Sequence, residues 1–217
     1  MIKALVFDFD GLILETELPV YQSWFELFQR HELELPFELW SGNIGTAEAI
    51  FDPVATLRAH GSNGERLERE LVERRSRELE LIGDQPPMPG VPQILQEARQ
   101  MGLKIGLASS SSCAWVEGHL VRLGLRPYFD CVLAKDDVRS TKPDPELFRS
   151  AAEQLGVLPE EAIAFEDSPN GIRSAKLAGL HCVAVPNKLT SRLDTSQADL
   201  VLETLEGIRL ADLIEML

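Results

Sequence analysis

Six short runs, apolar almost throughout, recur between longer amphipathic stretches, and this alternation restricts the possible folds more than any other feature. The runs are Ile2–Phe9, Lys104–Ser109, Cys131–Ala134, Ile163–Glu166, Cys182–Val185 and Leu200–Leu202. Between them, Val91–Met101, Ala114–Gly124, Pro145–Gly156 and Asn170–Gly179 repeat apolar residues at helical spacing; the last three stop at a glycine, as helix C-termini often do. Strands lacking a polar face must be covered on both sides, and strands that alternate with helices achieve this in a parallel sheet. The pattern predicts an α/β core built on such a sheet.

One segment breaks the rhythm. From about Glu17 to Ile82 nothing reads as a strand, whereas Leu18–His31, Ala47–His60 and the stretch "GERLERELVERRSRELELI" from Gly64 read as helices. In the last of these, Glu65/Arg69, Glu70/Arg74 and Glu73/Arg77 stand four apart, the spacing of ion pairs on an exposed helix. The chain returns through "GDQPPMPG", Gly83–Gly90, a stiff and turn-forming linker. The expected organisation is an inserted all-α domain at 15–85 within an α/β core formed by 1–14 and 86–217. The insertion leaves just after Asp10, where it would serve as a lid.

Composition narrows the function. With 217 residues, 44% hydrophobic and 26% charged, the chain can bury a sizeable core. Its net charge of −14 argues against a general affinity for nucleic acid or anionic membrane, yet leaves room for a locally positive site that takes a small anion. No stretch is long and apolar enough to span a bilayer, and the amino terminus runs straight into a strand rather than a signal peptide. Three cysteines without a CxxC pair offer neither a disulfide framework nor a zinc site. The expected setting is a reducing cytoplasm, and nothing demands more than a monomer.

In open parallel sheets, ligands bind beyond the carboxyl ends of the strands. Four such ends carry chemistry here. The first closes in "FDFDG", where Asp8 and Asp10, two apart, share a face if both are extended. The second closes in "LASSSS", with Ser109 and Ser110; the turn after the third leads to "STKPDPE", with Lys142; the fourth closes in "FEDSPNG", with Glu166 and Asp167. Taken singly, an Asp-x-Asp is often a turn, a serine run a loop and "KPDP" a helix start. Together, at successive strand ends, they form four carboxylates, a hydroxyl pair and one lysine. Converging carboxylates need a cation, and hard oxygen ligands without His or Cys suit Mg²⁺. Lys142 and the Ser109 hydroxyl would then hold phosphate oxygens.

In this order, "DFDG", "LASSS", "KPDPE" and "FEDSPNG" resemble the motif set of the haloacid dehalogenase-like superfamily, and the helical insertion resembles the C1-type cap of its β-phosphoglucomutase-like phosphatases. The resemblance covers the whole chain and implies a Rossmann-like core. It implies Asp8 as nucleophile, forming an aspartyl-phosphate, and Asp10 as the acid and then base. Mg²⁺ would be held by Asp8, Glu166, Asp167 and the main-chain carbonyl of Asp10. Ser109 and the Ser110 main-chain N–H would bind the phosphoryl group, with Lys142 bridging it and Asp8. Gly11 would let the chain turn into the lid, and Gly11, Ser110, Ser111 and Glu48 are the expected substrate-binding positions.

The departures from that pattern favour hydrolysis over phosphoryl return. Glu48, in "GTAE", stands where the mutases carry an arginine that grips a second phosphate, and Val20 stands where they carry a histidine. Arg74 or Arg75 could supply a cation from another helix. Glu15 replaces the usual aspartate at the lid hinge. A dehalogenase would lack the acid at Asp10, and a phosphonatase would need a lysine in a cap that has none between Leu12 and Pro89. The expected activity is a Mg²⁺-dependent phosphatase acting on a small phosphorylated metabolite. A phosphomutase and a non-catalytic phosphometabolite-binding protein are the alternatives. Trp24 and Phe28 read as core of the helical segment, with Trp24 or Trp40 as the alternative substrate border, the scattered histidines as structural or surface residues, and "SGNIGTAE" as a loop facing the site.

Overall fold

The computed structural model describes all residues, 1–217. Six strands form, all in parallel: β1 (Ala4–Phe7), β2 (Lys104–Ala108), β3 (Cys131–Leu133), β4 (Ala162–Glu166), β5 (His181–Ala184) and β6 (Leu200–Val201). Their order is β3-β2-β1-β4-β5-β6, so the chain starts in the middle, winds outward and restarts beside its own first strand. This is a doubly wound, Rossmann-like α/β sheet. Every apolar run yields a strand, though most are shorter than the run. Phe9, for instance, has left the ladder, and its carbonyl accepts from the Ile13 and Leu14 N–H groups in the turn that follows.

The register explains why the central strands are apolar on both faces. Ala4, Leu5, Val6 and Phe7 lie opposite Ala162, Ile163, Ala164 and Phe165. The larger side chains share one face with Ile105, Leu107 and Val183, against α5 (Val91–Gln100), α6 (Cys113–Arg122) and α9 (Leu210–Glu215). On that face Phe7 stacks on Phe165, 4.7 Å between centroids and 7° between planes. Alanines and Val6 line the opposite face, where α7 (Glu146–Leu155) and α8 (Pro169–Ala178) present Ala151, Ala175 and Ala178 of their own. Small residues on both sides bring these helices close to the strand ends they position.

Glu17 to Ile82 holds only helices: α1 (Glu17–Arg30), α2 (Phe37–Trp40), α3 (Pro53–Ala59) and α4 (Gly64–Ile82), with a short 3₁₀ turn after α2. They carry a separate apolar cluster that includes Leu27, Phe28, Trp40, Phe51, Leu57 and Leu67, joined by Leu189 from the loop after β5. Two expectations need correction. The helix expected over Ala47–His60 forms only from Pro53, because Asp52 caps the Val54 and Ala55 N–H groups and Asn43 accepts from the Ile50 and Phe51 N–H groups, closing residues 43–51 into a loop. On α4 only Glu65–Arg69 pairs as expected, at 3.6 Å. Arg77 instead reaches Glu26 of α1 at 3.2 Å, Glu73 meets Arg30 at 3.3 Å, and Arg74 turns inward, so this helix is bound along one face to α1. No helix is long and apolar enough to cross a membrane.

Candidate active site

At the carboxyl end of β1 the parallel ladder continues one residue further, the Asp8 N–H donating to the Phe165 carbonyl at 2.9 Å. This sets Asp8 next to Glu166 at the end of β4. Lys142, 1% exposed, lies between them; its ammonium donates to Asp8 Oδ1 and, at 2.6 Å, to Glu166 Oε1. The other Glu166 oxygen accepts from the Asp167 and Ser168 N–H groups and from the Ser168 hydroxyl. Asp167 Oδ2 accepts from Asn187 Nδ2 at 2.8 Å, and Asn187 is held in turn by the Leu189 and Thr190 N–H groups. Glycine is required around this cluster. A Cβ on Gly171, in the first turn of α8, would stand 1.9 Å from the Glu166 carboxyl, and one on Gly11, at φ +80°, would stand 2.4 Å from Asp167 Oδ2.

The electrostatics are those of a site short of positive charge. Burial pushes the Asp8 carboxyl up to about 8; Lys142 opposes this, while Glu166 and Asp10 add to it. Burial also lifts Asp167 well above the usual carboxylate range, with Glu166, Asp8 and Glu17 reinforcing it. For Lys142, burial works against the ammonium but Asp8 and Glu166 outweigh it and hold its pKa above the ordinary value. Asp8, Glu166 and Asp167 each offer an oxygen within 4.8 Å of the others, all buried, with one ammonium among them. An all-oxygen, acid-rich donor set with unbalanced charge fits a hard divalent cation such as Mg²⁺. Both Glu166 oxygens already accept hydrogen bonds, whereas Asp8 Oδ2 and Asp167 Oδ1 accept none, so these two are the free ligand atoms.

Asp10, two residues on, is held in a different environment. Its Oδ2 accepts from the Ser111 hydroxyl at 2.6 Å, with Ser109 Oγ at a long 3.5 Å; its Oδ1 accepts from Thr16 Oγ1 at 2.9 Å and Trp115 Nε1 at 3.0 Å. Sequence reasoning missed Thr16 and Trp115. The only trace of Trp115 is its place four residues after Ser111, where the first turn of α6, capped by Ser112, carries it back over the serine loop. The Ser110 hydroxyl donates to the Gly45 carbonyl at 3.1 Å, tying the core to the loop after α2.

A cavity of about 690 Å³ opens between the strand ends and the helical segment, bounded by Asp8, Asp10 and Ser109–Ser112 below and by Glu17, Val20, Trp40 and Arg75 above. Burial, with Asp10 and Asp8 adding to it, pushes the Glu17 carboxyl well above its ordinary range. Two expected substrate residues lie elsewhere. Glu48 is exposed and absent from the wall, because the unwound loop ahead of α3 carries it outward, and Gly11 packs behind Asp167 rather than facing the cavity. Arg75 is the arginine that reaches the wall; it pairs with the buried Glu78, and its guanidinium lies 5.2 Å from the centre of the Trp115 ring. Arg74 is spent beneath the wall, over Trp24 at 4.4 Å and bonded to Ser23 and Glu78.

The haloacid dehalogenase-like hydrolase family matches residues 2–179. YhcW of Bacillus subtilis (strain 168), named as a candidate phosphatase, is 46% identical across 100% of this chain and 98% of its own length. The fructose-1-phosphate phosphatase YqaB of Escherichia coli (strain K12) is 33% identical, covering 84% of this chain and 95% of its own. Among solved structures, CbbY from Rhodobacter sphaeroides in complex with phosphate superposes with a TM-score of 0.76 at 28% identity, covering 99% of this chain and 100% of that one.

Proposed function

The chain belongs to the haloacid dehalogenase-like hydrolases, and from that premise we propose that it is a phosphatase that hydrolyses a small phosphate monoester, a sugar phosphate or related metabolite, through an aspartyl-phosphate at Asp8. The sugar-phosphate class rests on the names of relatives, among them the fructose-1-phosphate phosphatase and a phosphorylated carbohydrates phosphatase of Thermotoga maritima. The observation that carries the reading is the split between two neighbouring aspartates: Asp8 bound to Lys142 in an acid cluster, Asp10 held apart by hydroxyl and indole donors. Binding alone requires no such second acid.

In this reading an Asp8 oxygen attacks phosphorus in line and the ester P–O bond breaks, the leaving oxygen taking its proton from Asp10. Asp10 then accepts a proton from the water that attacks the aspartyl-phosphate, releasing inorganic phosphate and restoring Asp8. Lys142 keeps the nucleophile aimed and, with Ser109 and the Ser110 N–H, balances the phosphoryl oxygens. Asp8 and Asp167, with the Asp10 carbonyl, would hold Mg²⁺, and Glu166 would anchor Lys142; when bound, the ion supplies Lewis-acid stabilisation of the phosphoryl charge. Residues 15–85 act as a cap that excludes bulk water and contacts the leaving group. The mutase alternative draws no support from Val20, which carries no proton, or from Glu48, which stands outside the cavity wall; Arg75 shares the single Glu78 carboxylate with Arg74.

Phosphate release from a panel of phosphorylated sugars tests this. The wild type turns over in Mg²⁺ and stops in EDTA, and Asp8→Asn, folded by circular dichroism, loses about a thousandfold or more in kcat. Undiminished turnover in Asp8→Asn removes the nucleophile.

A further inference from the structure

General-acid catalysis depends on where a proton sits, and a carboxyl on a strand-end turn is free to rotate unless both oxygens are tied. Asp10 is tied from three directions. Ser111 holds Oδ2 at 2.6 Å, whereas Thr16 and Trp115 share Oδ1 at 2.9 and 3.0 Å. These donors come from separate parts of the chain: the serine loop after β2, the start of the helical segment, and α6. Trp115 differs from the other two in being a rigid donor, since indole Nε1 can only donate and its direction is set by the ring.

The ring itself is fixed by neighbours from two layers. His119, one turn further along α6, meets it edge-on at 4.3 Å between centroids. Arg75, from α4 of the helical segment, lies over it at 5.2 Å, a distance at which a guanidinium is attracted to an aromatic face. Arg75 is braced by Glu78, whose carboxylate is 4% exposed. A continuous path thus runs from the helical segment through Arg75 and the indole to one oxygen of Asp10, and ends in the cavity that both Trp115 and Asp10 border.

We propose that Trp115 is a positioning residue for the reaction: its indole N–H sets the orientation of the Asp10 carboxyl, and the Arg75 contact makes that orientation dependent on the helical segment lying over the core. The proposal rests on the phosphatase reading only for the part played by Asp10. Its consequence is selective. A misdirected acid costs little when the leaving group departs unaided as a stabilised anion, and much when an alkoxide must be protonated.

The experiment compares wild type with Trp115→Phe, which keeps a six-membered aromatic ring beside Arg75 and His119 and removes the indole N–H together with the five-membered ring that carries it. On p-nitrophenyl phosphate kcat/KM, which covers phosphoryl transfer to Asp8 but not the later water attack in which Asp10 is the base, stays within about twofold, while on glycerol 2-phosphate it falls by about tenfold, a part of the roughly hundredfold or more that a positioned acid supplies. Equal losses on both substrates, or no loss on either, overturn the proposal. A second measurement needs no turnover. The chain has three tryptophans, so the indole N–H signal missing from the ¹H–¹⁵N spectrum of Trp115→Phe identifies Trp115. In Asp10→Ala that signal moves upfield while the other two stay in place; an unmoved signal contradicts the bond. If the wild type releases no phosphate, the phosphatase reading has failed, and the spectrum still decides whether Trp115 holds Asp10.

Discussion

Glu166 has no exposed surface, and each of its oxygens is committed: one to Lys142, the other to two main-chain N–H groups and a hydroxyl. It behaves as the fixed point from which Lys142, and through it Asp8, is aimed. Gly171 makes the fixed point possible, since any Cβ there would occupy the space of the Glu166 carboxyl. Helix propensity alone favours alanine over glycine inside α8 by about 0.5–1 kcal/mol. Only a swing of the Glu166 carboxyl relieves the overlap, and that breaks its bonds to Lys142 and to the Asp167 and Ser168 N–H groups, so Gly171→Ala is expected to lower the melting temperature and, by displacing the lysine, cost about a hundredfold in kcat. A raised melting temperature with full activity would show that Glu166 has room to move. At this scale the sequence reveals what is announced by charge. Asp8, Asp10, Lys142, Glu166 and Asp167 stand out because acids and a lysine at apolar strand ends have no packing reason to be there. Thr16 and Trp115 do not, because a threonine at a helix start and a tryptophan on an amphipathic helix satisfy ordinary structural patterns.

The strands and the helices of the core were legible because burial on both faces leaves an unbroken apolar run, and the glycines that follow α6, α7 and α8 at positive φ end their helices cleanly. The loop at residues 43–51 was not, since its shape comes from one asparagine side chain bonding chain eight residues away. The edges of the sheet were equally hidden, and they share one device. Asp130, just before β3, accepts from the Ile105 N–H of β2 and from Arg99; Asp199, just before β6, accepts from the Cys182 N–H of β5 and from Lys176. Each edge strand is thereby pinned to its neighbour by an ionised carboxylate. For both residues burial acts to raise the pKa, but the N–H and cation partners win and hold it below the ordinary 3.8. A depressed folded-state value means stability that is present above the unfolded pKa and lost as pH falls through the folded one. Asp130→Asn and Asp199→Asn should therefore melt below wild type at pH 7, and the gap should close as the solution is acidified below 3.8. A gap constant with pH would mean the carboxylates matter by shape rather than charge.

Folding this chain gathers like charge. The molecule carries a net −14, and the two halves of the sheet meet at β1 and β4, so the acids at those strand ends are driven together at the one place where the topology reverses. Apolar packing on both faces of the sheet outweighs that repulsion, and a single buried ammonium offsets part of it. The remainder is a stability cost to the whole fold that a bound divalent cation would remove, so cation binding should register as global stabilisation before any substrate is present. At a Mg²⁺ concentration of about 100 times the dissociation constant the linkage amounts to about 2.7 kcal/mol. For a chain of this size about 2–4 °C per kcal/mol makes that a rise of about 5–10 °C in melting temperature. Asp167→Asn changes both ends of the comparison. Without the ion it should melt higher than wild type, because one of three crowded carboxyls has become neutral and its amide can still meet Asn187. With the ion it should gain almost nothing, having lost a free ligand oxygen. Thermal melts across a MgCl₂ titration, set against NaCl at matched ionic strength and reversed with EDTA, distinguish this from screening of surface charge; equal gains in wild type and variant would place the cation elsewhere on the acidic surface.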